Sequence, residues 1–109
     1  FLCMFGAKQF AAMKPSARFI NLGRGQLIHE AELVAGLDAG HLAGAALDVF
    51  ETEPLPAESP WWDAPGLLVS PHVGGASSAM WPRAHRLVAE QLHRYAAGEP
   101  LHNQMTGAY

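Results

Sequence analysis

The chain is built around the stretch Ala17-Arg18-Phe19-Ile20-Asn21-Leu22-Gly23-Arg24-Gly25, a short apolar run that ends in two glycines on either side of an arginine. Two further apolar runs, 43–47 and 67–70, also lead into ionisable residues, Asp48 and His72. If the three runs are neighbouring parallel strands, Arg24, Asp48 and His72 lie at one edge of a sheet. Ligands bind at the carboxyl edge of open α/β sheets, so this arrangement predicts a catalytic site there.

Helices are predicted around these strands. Apolar residues at 7, 10, 11 and 13 predict a first helix, which Lys14-Pro15 stops. Residues 30–39 predict a second helix, with Glu30 and Glu32 at its positive amino end. Strand, helix and strand then form a βαβ unit, whose near-continuous apolar strands indicate a sheet covered on both faces. The chain is therefore predicted to be an α/β fold, with a long final helix over about 77–98, capped by Ser77 or Ser78, and a tail.

A proline-rich loop separates the second and third strands. It covers residues 51–66 and contains four prolines among sixteen residues, so regular structure is not expected. A loop of this length in a compact domain is usually functional or disordered. Trp61 and Trp62 argue against disorder, because side chains of that size normally pack.

Composition excludes several classes of protein. Half of the 109 residues are hydrophobic and 16% are charged, which permits a packed core. A formal net charge of −3 provides no basic surface for nucleic acid. No apolar run approaches the ~18 residues that a bilayer span needs, so no membrane partner is expected. The single cysteine, Cys3, cannot form a disulfide within the chain, which favours a reducing, cytoplasmic compartment.

Five side chains are candidates for chemistry, and each has an ordinary structural alternative. Arg24 offers a guanidinium fork for a carboxylate, although arginines in surface turns are also common. His72 can donate and recover a proton near neutral pH, or it can merely hydrogen-bond to backbone at a strand end. A nearby carboxylate would orient its ring, and composition leaves Glu51 and Glu53 equally available for that role. Asp48 closes an apolar strand, so its carboxylate needs hydrogen-bond donors.

Several familiar motifs do not occur in the sequence. The histidines outside 71–75 have no metal-ligand spacing, so no metal site is predicted. Neither a nucleophile elbow nor a G-x-G-x-x-G fingerprint is present, since Gly23 and Gly25 lack the third glycine.

Three segments taken together resemble a known family: 21–25 (NLGRG), 43–56 (AGAALDVFETEPLP) and 71–75 (PHVGG). They are similar to the D-isomer-specific 2-hydroxyacid dehydrogenases, and among these to the glyoxylate/hydroxypyruvate reductase branch. Each segment is weakly specific alone, but the three together are highly specific, and the resemblance covers nearly the whole chain in the family's order. The resemblance implies that the α/β fold is part of a Rossmann-like, doubly wound parallel sheet with flanking helices.

The resemblance also implies an activity and its residues. The family's catalytic arginine, glutamate and histidine fall on Arg24, Glu53 and His72, which chooses Glu53 over Glu51. The implied reaction is reduction of a small 2-oxo acid to a D-2-hydroxy acid with NAD or NADP, the choice between them left open. Arg24 would hold the substrate, Asp48 would fix the nicotinamide carboxamide, and His72, kept protonated by Glu53, would protonate the carbonyl oxygen. The family's cofactor-binding positions fall on Leu22, Gly23, Arg24, Asp48, His72, Gly74 and Gly75.

A domain organisation follows from the same resemblance. Residues 1–98 correspond to the C-terminal part of the NAD(P)-binding domain, and 99–109 to a tail that docks on a substrate domain outside this chain. The complete protein is expected to be a homodimer. Because the dinucleotide fingerprint is not among the 109 residues, the chain by itself is expected to bind cofactor weakly or not at all and to have no useful turnover. A cofactor-sensing regulatory module and an inert fragment are the alternative functions.

Overall fold

A three-stranded parallel sheet is the centre of the first part of the chain. The computed structural model describes residues 2–107, which fall into two compact units, 2–74 and 75–107. The sheet belongs to the first unit, in the order β1-β2-β3, and its strands are β1 (Arg18–Asn21), β2 (Gly44–Leu47) and β3 (Leu67–Val69). This confirms the α/β fold with parallel strands.

The three strands end at the same level of the sheet. The last residue of β1, Asn21, lies opposite Leu47 of β2, and Leu47 lies opposite Val69 of β3. Side chains that follow these three residues therefore share the carboxyl edge of the sheet, as the sequence predicts.

Two helices cover one face of this sheet. They are α1 (Ala7–Ala11) and α2 (Glu30–Asp38), and they bury Phe10 and Leu33 completely. The ring of Phe10 lies 5.3 Å from that of Phe19 on β1, edge to face, which is a favourable aromatic geometry. Burial of a leucine such as Leu33 stabilises the fold by roughly 1.5–3 kcal/mol. The chain leaves α2 through Gly40, whose positive φ of 71° suits glycine.

The opposite face of the sheet is exposed. Ile20, Ala46 and Leu68 are partners in one row across the strands, and Ile20 and Leu68 are each 64% exposed. The prediction that both faces are covered is therefore wrong for the described residues. Apolar strands show that a sheet is suited to burial on two sides, but they do not show which chain segment provides the second layer.

The proline-rich loop is ordered around one tryptophan. Pro60–Asp63 form a 3₁₀ turn that was not predicted, and the Ser59 hydroxyl caps it by accepting a hydrogen bond from the Trp61 amide at 3.3 Å. Trp61 is buried, whereas Trp62 is 51% exposed and donates its indole N–H to the carbonyl of Pro56. The prediction that tryptophan packing orders this loop is confirmed for Trp61.

The second unit consists of α3 (Met80–Ala96) and the segment that follows it. The helix begins later than the predicted 77, because neither serine caps it with a side chain; the Ser77 carbonyl instead accepts the Met80 amide in a preceding turn. Gln91 exchanges two hydrogen bonds with the backbone of His102, at 2.7 and 3.0 Å, so the tail turns back along its own helix. No helix in residues 2–107 has the length and apolarity of a membrane span.

Candidate active site

A histidine and a glutamate form a close pair at the carboxyl edge of the sheet. His72 follows β3, and its Nδ1 lies 2.6 Å from Oε2 of Glu53, which is in the loop after β2. The other carboxylate oxygen of Glu53 accepts the Phe50 amide at 2.9 Å. The side chains of His72 and Glu53 are 46% and 35% exposed, so a small molecule can reach them. The structure thus places Glu53, and not Glu51, beside the histidine.

The electrostatics of Glu53 follow from these contacts. Its pKa lies below its ordinary value, chiefly because His72 hydrogen-bonds to the carboxylate and next because the Phe50 amide does. The positive charge of Arg24 acts in the same direction, while partial burial opposes it. Glu53 is therefore a carboxylate at neutral pH and can orient the imidazole.

The backbone at His72 is held in an uncommon conformation. His72 has a φ of +53°, in the left-handed region that few residues other than glycine adopt. The carboxylate of Asp48 fixes the turn that follows, because it accepts the amides of Val73 at 2.9 Å and Gly74 at 2.7 Å. It also accepts the Ser70 hydroxyl at 2.6 Å, on the strand side of His72. Asp48 thus positions the segment that carries the histidine.

The Asp48 carboxylate is buried and satisfied by these three donors. It is 2% exposed, and its pKa lies below the ordinary value, first because of the Ser70 hydroxyl, then because of the Val73 amide, with the Gly74 amide acting in the same direction. Partial burial raises the pKa but does not overcome the hydrogen bonds. Glycine is required at 74, because a Cβ there would come within 2.8 Å of Oδ2 of Asp48.

The depressed pKa of Asp48 predicts a pH-dependent contribution to stability. The folded state favours the carboxylate more than the unfolded state does, so the contribution is complete above the ordinary value of 3.8 and is lost as pH falls through the folded pKa. We expect the stability advantage of the wild type over Asp48→Asn to narrow below pH 3.8. Unfolding midpoints measured across this range test it. Asp38→Asn, at the exposed end of α2, is the control, and an Asp48→Asn deficit that stays constant across the range would contradict the assignment.

Arg24 lies at the same edge in a turn that a buried asparagine organises. The Asn21 side chain donates to the carbonyl of Arg24 at 3.0 Å and accepts the amide of Gly23 at 3.1 Å. The guanidinium is exposed and donates from Nη1 to the carbonyl of Gly23 at 3.0 Å. Among the described residues it forms no salt bridge. Since no carboxylate of the described residues is paired with the guanidinium, the fork is available to an anion.

Gly25 brings the Arg24 turn against the loop that carries Glu53. A Cβ on Gly25 would lie 2.0 Å from the backbone carbon of Phe50 and 2.3 Å from the amide nitrogen of Glu51. The two segments can approach this closely only because residue 25 has no side chain. This contact connects the arginine turn with the glutamate loop.

The other residues predicted to bind the cofactor lie in both units of the chain, Leu22, Gly23 and Gly74 in the first and Gly75 in the second. Leu22 and Gly23 follow β1, and Leu22 is 64% exposed although it is apolar. A Cβ on Gly74 would lie 3.6 Å from Cδ2 of Leu22, so these two residues are neighbours at the sheet edge. Gly75 belongs to the second unit, and a Cβ there would meet no atom of the described residues within 4 Å.

The described residues contain no cluster of three or more histidine, cysteine, aspartate or glutamate side chains that could hold a metal ion. Two residues that position the site were not predicted from the sequence, Asn21 and Ser70. A polar residue at the end of an apolar strand is a signal that could have identified both, because such a group needs partners when it is buried.

The parallel sheet and its helices define a Rossmann-like α/β protein with a histidine–carboxylate pair at the carboxyl edge of the sheet. The chain belongs to the D-isomer specific 2-hydroxyacid dehydrogenase family, since residues 3–74 match that family's NAD binding domain. The resemblance seen in the sequence is thereby confirmed.

Individual relatives agree with this assignment. Glyoxylate/hydroxypyruvate reductase B of Citrobacter koseri is 51% identical over 74 residues, which are 68% of this chain and 23% of that protein. Among solved structures, a D-isomer specific 2-hydroxyacid dehydrogenase of Xanthobacter autotrophicus with NADPH is 43% identical, with a TM-score of 0.81, over 96% of this chain and 43% of that one. A glyoxylate/hydroxypyruvate reductase of Sinorhizobium meliloti with NADP is 40% identical, with a TM-score of 0.80, over 93% and 33%. The chain thus spans about a quarter of the length of the curated relatives that it matches.

Proposed function

We propose that the protein containing this chain is an NAD(P)-dependent oxidoreductase that reduces small 2-oxo acids of the glyoxylate and hydroxypyruvate type to D-2-hydroxy acids. The observation that supports this most strongly is the His72–Glu53 pair, with Nδ1 and Oε2 2.6 Å apart, at the sheet edge that also carries Arg24. The names of the relatives from Citrobacter koseri and Sinorhizobium meliloti support the substrate class.

The roles of the three catalytic residues follow from their contacts. Glu53 hydrogen-bonds to Nδ1 of His72. The other ring nitrogen, Nε2, can therefore donate a proton to the carbonyl oxygen of a 2-oxo acid. In the reverse direction the same atom accepts the proton of the hydroxy acid. The exposed fork of Arg24 binds the substrate carboxylate by paired hydrogen bonds, which orients the carbonyl toward the imidazole.

The chain also has a surface that fits the nicotinamide end of NAD(P). The exposed apolar side chain of Leu22 lies beside Gly74, at which any side chain would meet Asp48. A flat ring can therefore lie close to the backbone there. We propose that the residues holding this end are Leu22, Gly23, Arg24, Asp48, His72, Gly74 and Gly75. When bound, NAD(P)H supplies the hydride for the reduction.

In this proposal Asp48 acts mainly by positioning the backbone around His72, in addition to any contact with the nicotinamide carboxamide. Three donors of the chain already occupy its carboxylate, so its main action on the cofactor site is to fix the 72–74 turn. We also propose that residues 1–98 are part of the NAD(P)-binding domain, that the tail 99–109 docks on a substrate domain, and that the complete protein is a cytoplasmic homodimer.

A steady-state assay of the complete gene product tests the function. We expect oxidation of NADPH or NADH that depends on glyoxylate or hydroxypyruvate. Replacing Arg24 with glutamine should raise the KM for the 2-oxo acid by about 10–100-fold, because hydrogen bonds to a charged group are lost. Arg18→Gln is the matched control, since Arg18 is an exposed arginine at the opposite end of the same strand.

Two results would contradict this proposal. If Arg24→Gln and Arg18→Gln have the same KM, Arg24 does not bind the substrate. If the wild type binds NADPH but reduces no small 2-oxo acid, the cofactor-sensing module becomes the better description of the protein.

A further inference from the structure

One carboxylate, that of Glu30, holds both ends of the proline-rich loop. Glu30 is in the first turn of α2. Its Oε1 accepts the backbone amide of Glu51 at 2.8 Å, and its Oε2 accepts the indole N–H of Trp61 at 3.0 Å. Both oxygens are therefore used, one at the start of the loop and one near its end. An acidic residue in the first turn of a helix does not need contacts of this kind, so the two bonds of Glu30 are specific to this loop.

The amide that Glu30 holds is next to the amide that Glu53 uses. The Phe50 amide donates to Oε1 of Glu53 at 2.9 Å, and the following amide, that of Glu51, donates to Glu30. These two amides belong to consecutive peptides, so the bond from Glu30 at Glu51 restrains the backbone from which the Phe50 amide holds the Glu53 carboxylate beside His72. Gly25 also packs on the Phe50–Glu51 peptide.

The second contact fixes the far end of the loop. Trp61 is 5% exposed, so its indole N–H needs an acceptor within the fold, and Glu30 provides one. If the Glu30 carboxylate were removed, the Trp61 indole N–H would lose the hydrogen bond that it makes within the described residues. The loop would then be free to move relative to α2.

We infer that Glu30 is a positioning residue for the acid–base pair, acting through the Glu51 amide and the Trp61 indole to keep Glu53 against His72. This inference rests on the proposed reductase function. Glu30 does not touch the substrate in this scheme. It acts by restricting the loop that carries Glu53, and small misplacements of a catalytic group are costly to the rate.

Glu30→Gln is the variant that tests this. Glutamine has the same shape, but its NH2 group, which only donates, replaces one of the two oxygens and would face either the Glu51 amide or the Trp61 indole N–H. Glu32→Gln is the matched control: Glu32 is in the same helical turn, but its carboxylate accepts the Ala7 amide at 2.7 Å and does not contact the loop. Trp61→Phe keeps a buried aromatic side chain but removes the indole N–H together with one ring of the indole.

Two readouts are used on the complete gene product. In NMR, Glu30→Gln should weaken or abolish the downfield Nδ1 proton signal of His72 and speed hydrogen exchange at the Trp61 indole, whereas Glu32→Gln should do neither. In kinetics, Glu30→Gln should lower kcat about tenfold, a part of the ~10²–10⁴-fold that general acid–base catalysis contributes. The KM for the 2-oxo acid should change much less, because the Arg24 fork is intact. Trp61→Phe should show the same pattern with a smaller loss.

The outcomes separate the two proposals. If the wild type shows no reductase activity, the proposed function fails, but the NMR comparison still decides whether Glu30 holds Glu53 and His72 together. If Glu30→Gln matches Glu32→Gln in both the His72 signal and kcat, the inference is overturned. If Glu30→Gln fails to fold, Trp61→Phe decides, and a wild-type kcat with an unchanged His72 signal would overturn the inference.

Discussion

Replacing His72 with asparagine is expected to lower kcat for 2-oxo acid reduction by about 10²–10⁴-fold, the range that general acid–base catalysis contributes. Asparagine is chosen because it tolerates the left-handed backbone that His72 adopts at a φ of +53°. The variant therefore removes the imidazole without forcing the 72–74 turn to rearrange. Single-turnover rates at saturating 2-oxo acid measure the effect on the chemical step.

The control for this prediction is His41→Asn, at an exposed position after α2. It makes the same chemical change outside the site and should leave kcat unchanged. The thermal unfolding midpoint of His72→Asn should also stay close to that of the wild type. A folded His72→Asn protein that keeps wild-type kcat would show that the proton comes from another group.

Gly25→Ala is expected to damage both stability and activity. The new Cβ would lie 2.0 Å from the backbone carbon of Phe50, so the Arg24 turn and the Glu53 loop must move apart. Inserting a methyl group into a packed site typically costs about 1–3 kcal/mol, and a clash with backbone belongs at the upper end of that range. Because the displaced segments carry Arg24 and Glu53, which we propose to be catalytic, we also expect kcat/KM to fall about 10²-fold. Chemical denaturation and steady-state kinetics measure the two effects.

Gly36→Ala is the matched control for that change. Gly36 is also buried, but a Cβ there would come no closer than 3.4 Å to the Phe10 side chain, which is an ordinary contact. It lies in the middle of α2, where alanine is favoured over glycine by roughly 0.5–1 kcal/mol. Equal stability and equal kcat/KM for Gly25→Ala and Gly36→Ala would show that the arginine turn does not pack on the glutamate loop as described.

The sequence was sufficient to predict the sheet and its functional edge. The strands are short apolar runs, and each is followed by an ionisable residue, so parallel pairing alone brings Arg24, Asp48 and His72 to one rim. The helices follow from apolar periodicity, although α3 begins at Met80 rather than near 77. Helix ends depend on capping contacts, and neither Ser77 nor Ser78 makes the one that was expected.

The contacts that position the site were not predictable from local patterns. Glu30 contacts Glu51 and Trp61, which are 21 and 31 residues away in sequence, and no periodicity signals such contacts. Composition likewise could not choose Glu53 over Glu51; the family resemblance made that choice, and the structure shows the Glu53 side chain beside His72. The exposed face of the sheet at Ile20 and Leu68 shows the same limit, because an apolar sequence does not specify which segment covers it.

The most direct test is a crystal structure of the complete gene product with NADP and oxamate, a stable analogue of a small 2-oxo acid. The carboxylate of oxamate should accept hydrogen bonds from the Arg24 guanidinium, and its carbonyl oxygen should lie within hydrogen-bond distance of Nε2 of His72 while Nδ1 remains on Glu53. Oxamate bound at another site, or His72 separated from Glu53 in the presence of bound ligand, would contradict a shared site for these three side chains.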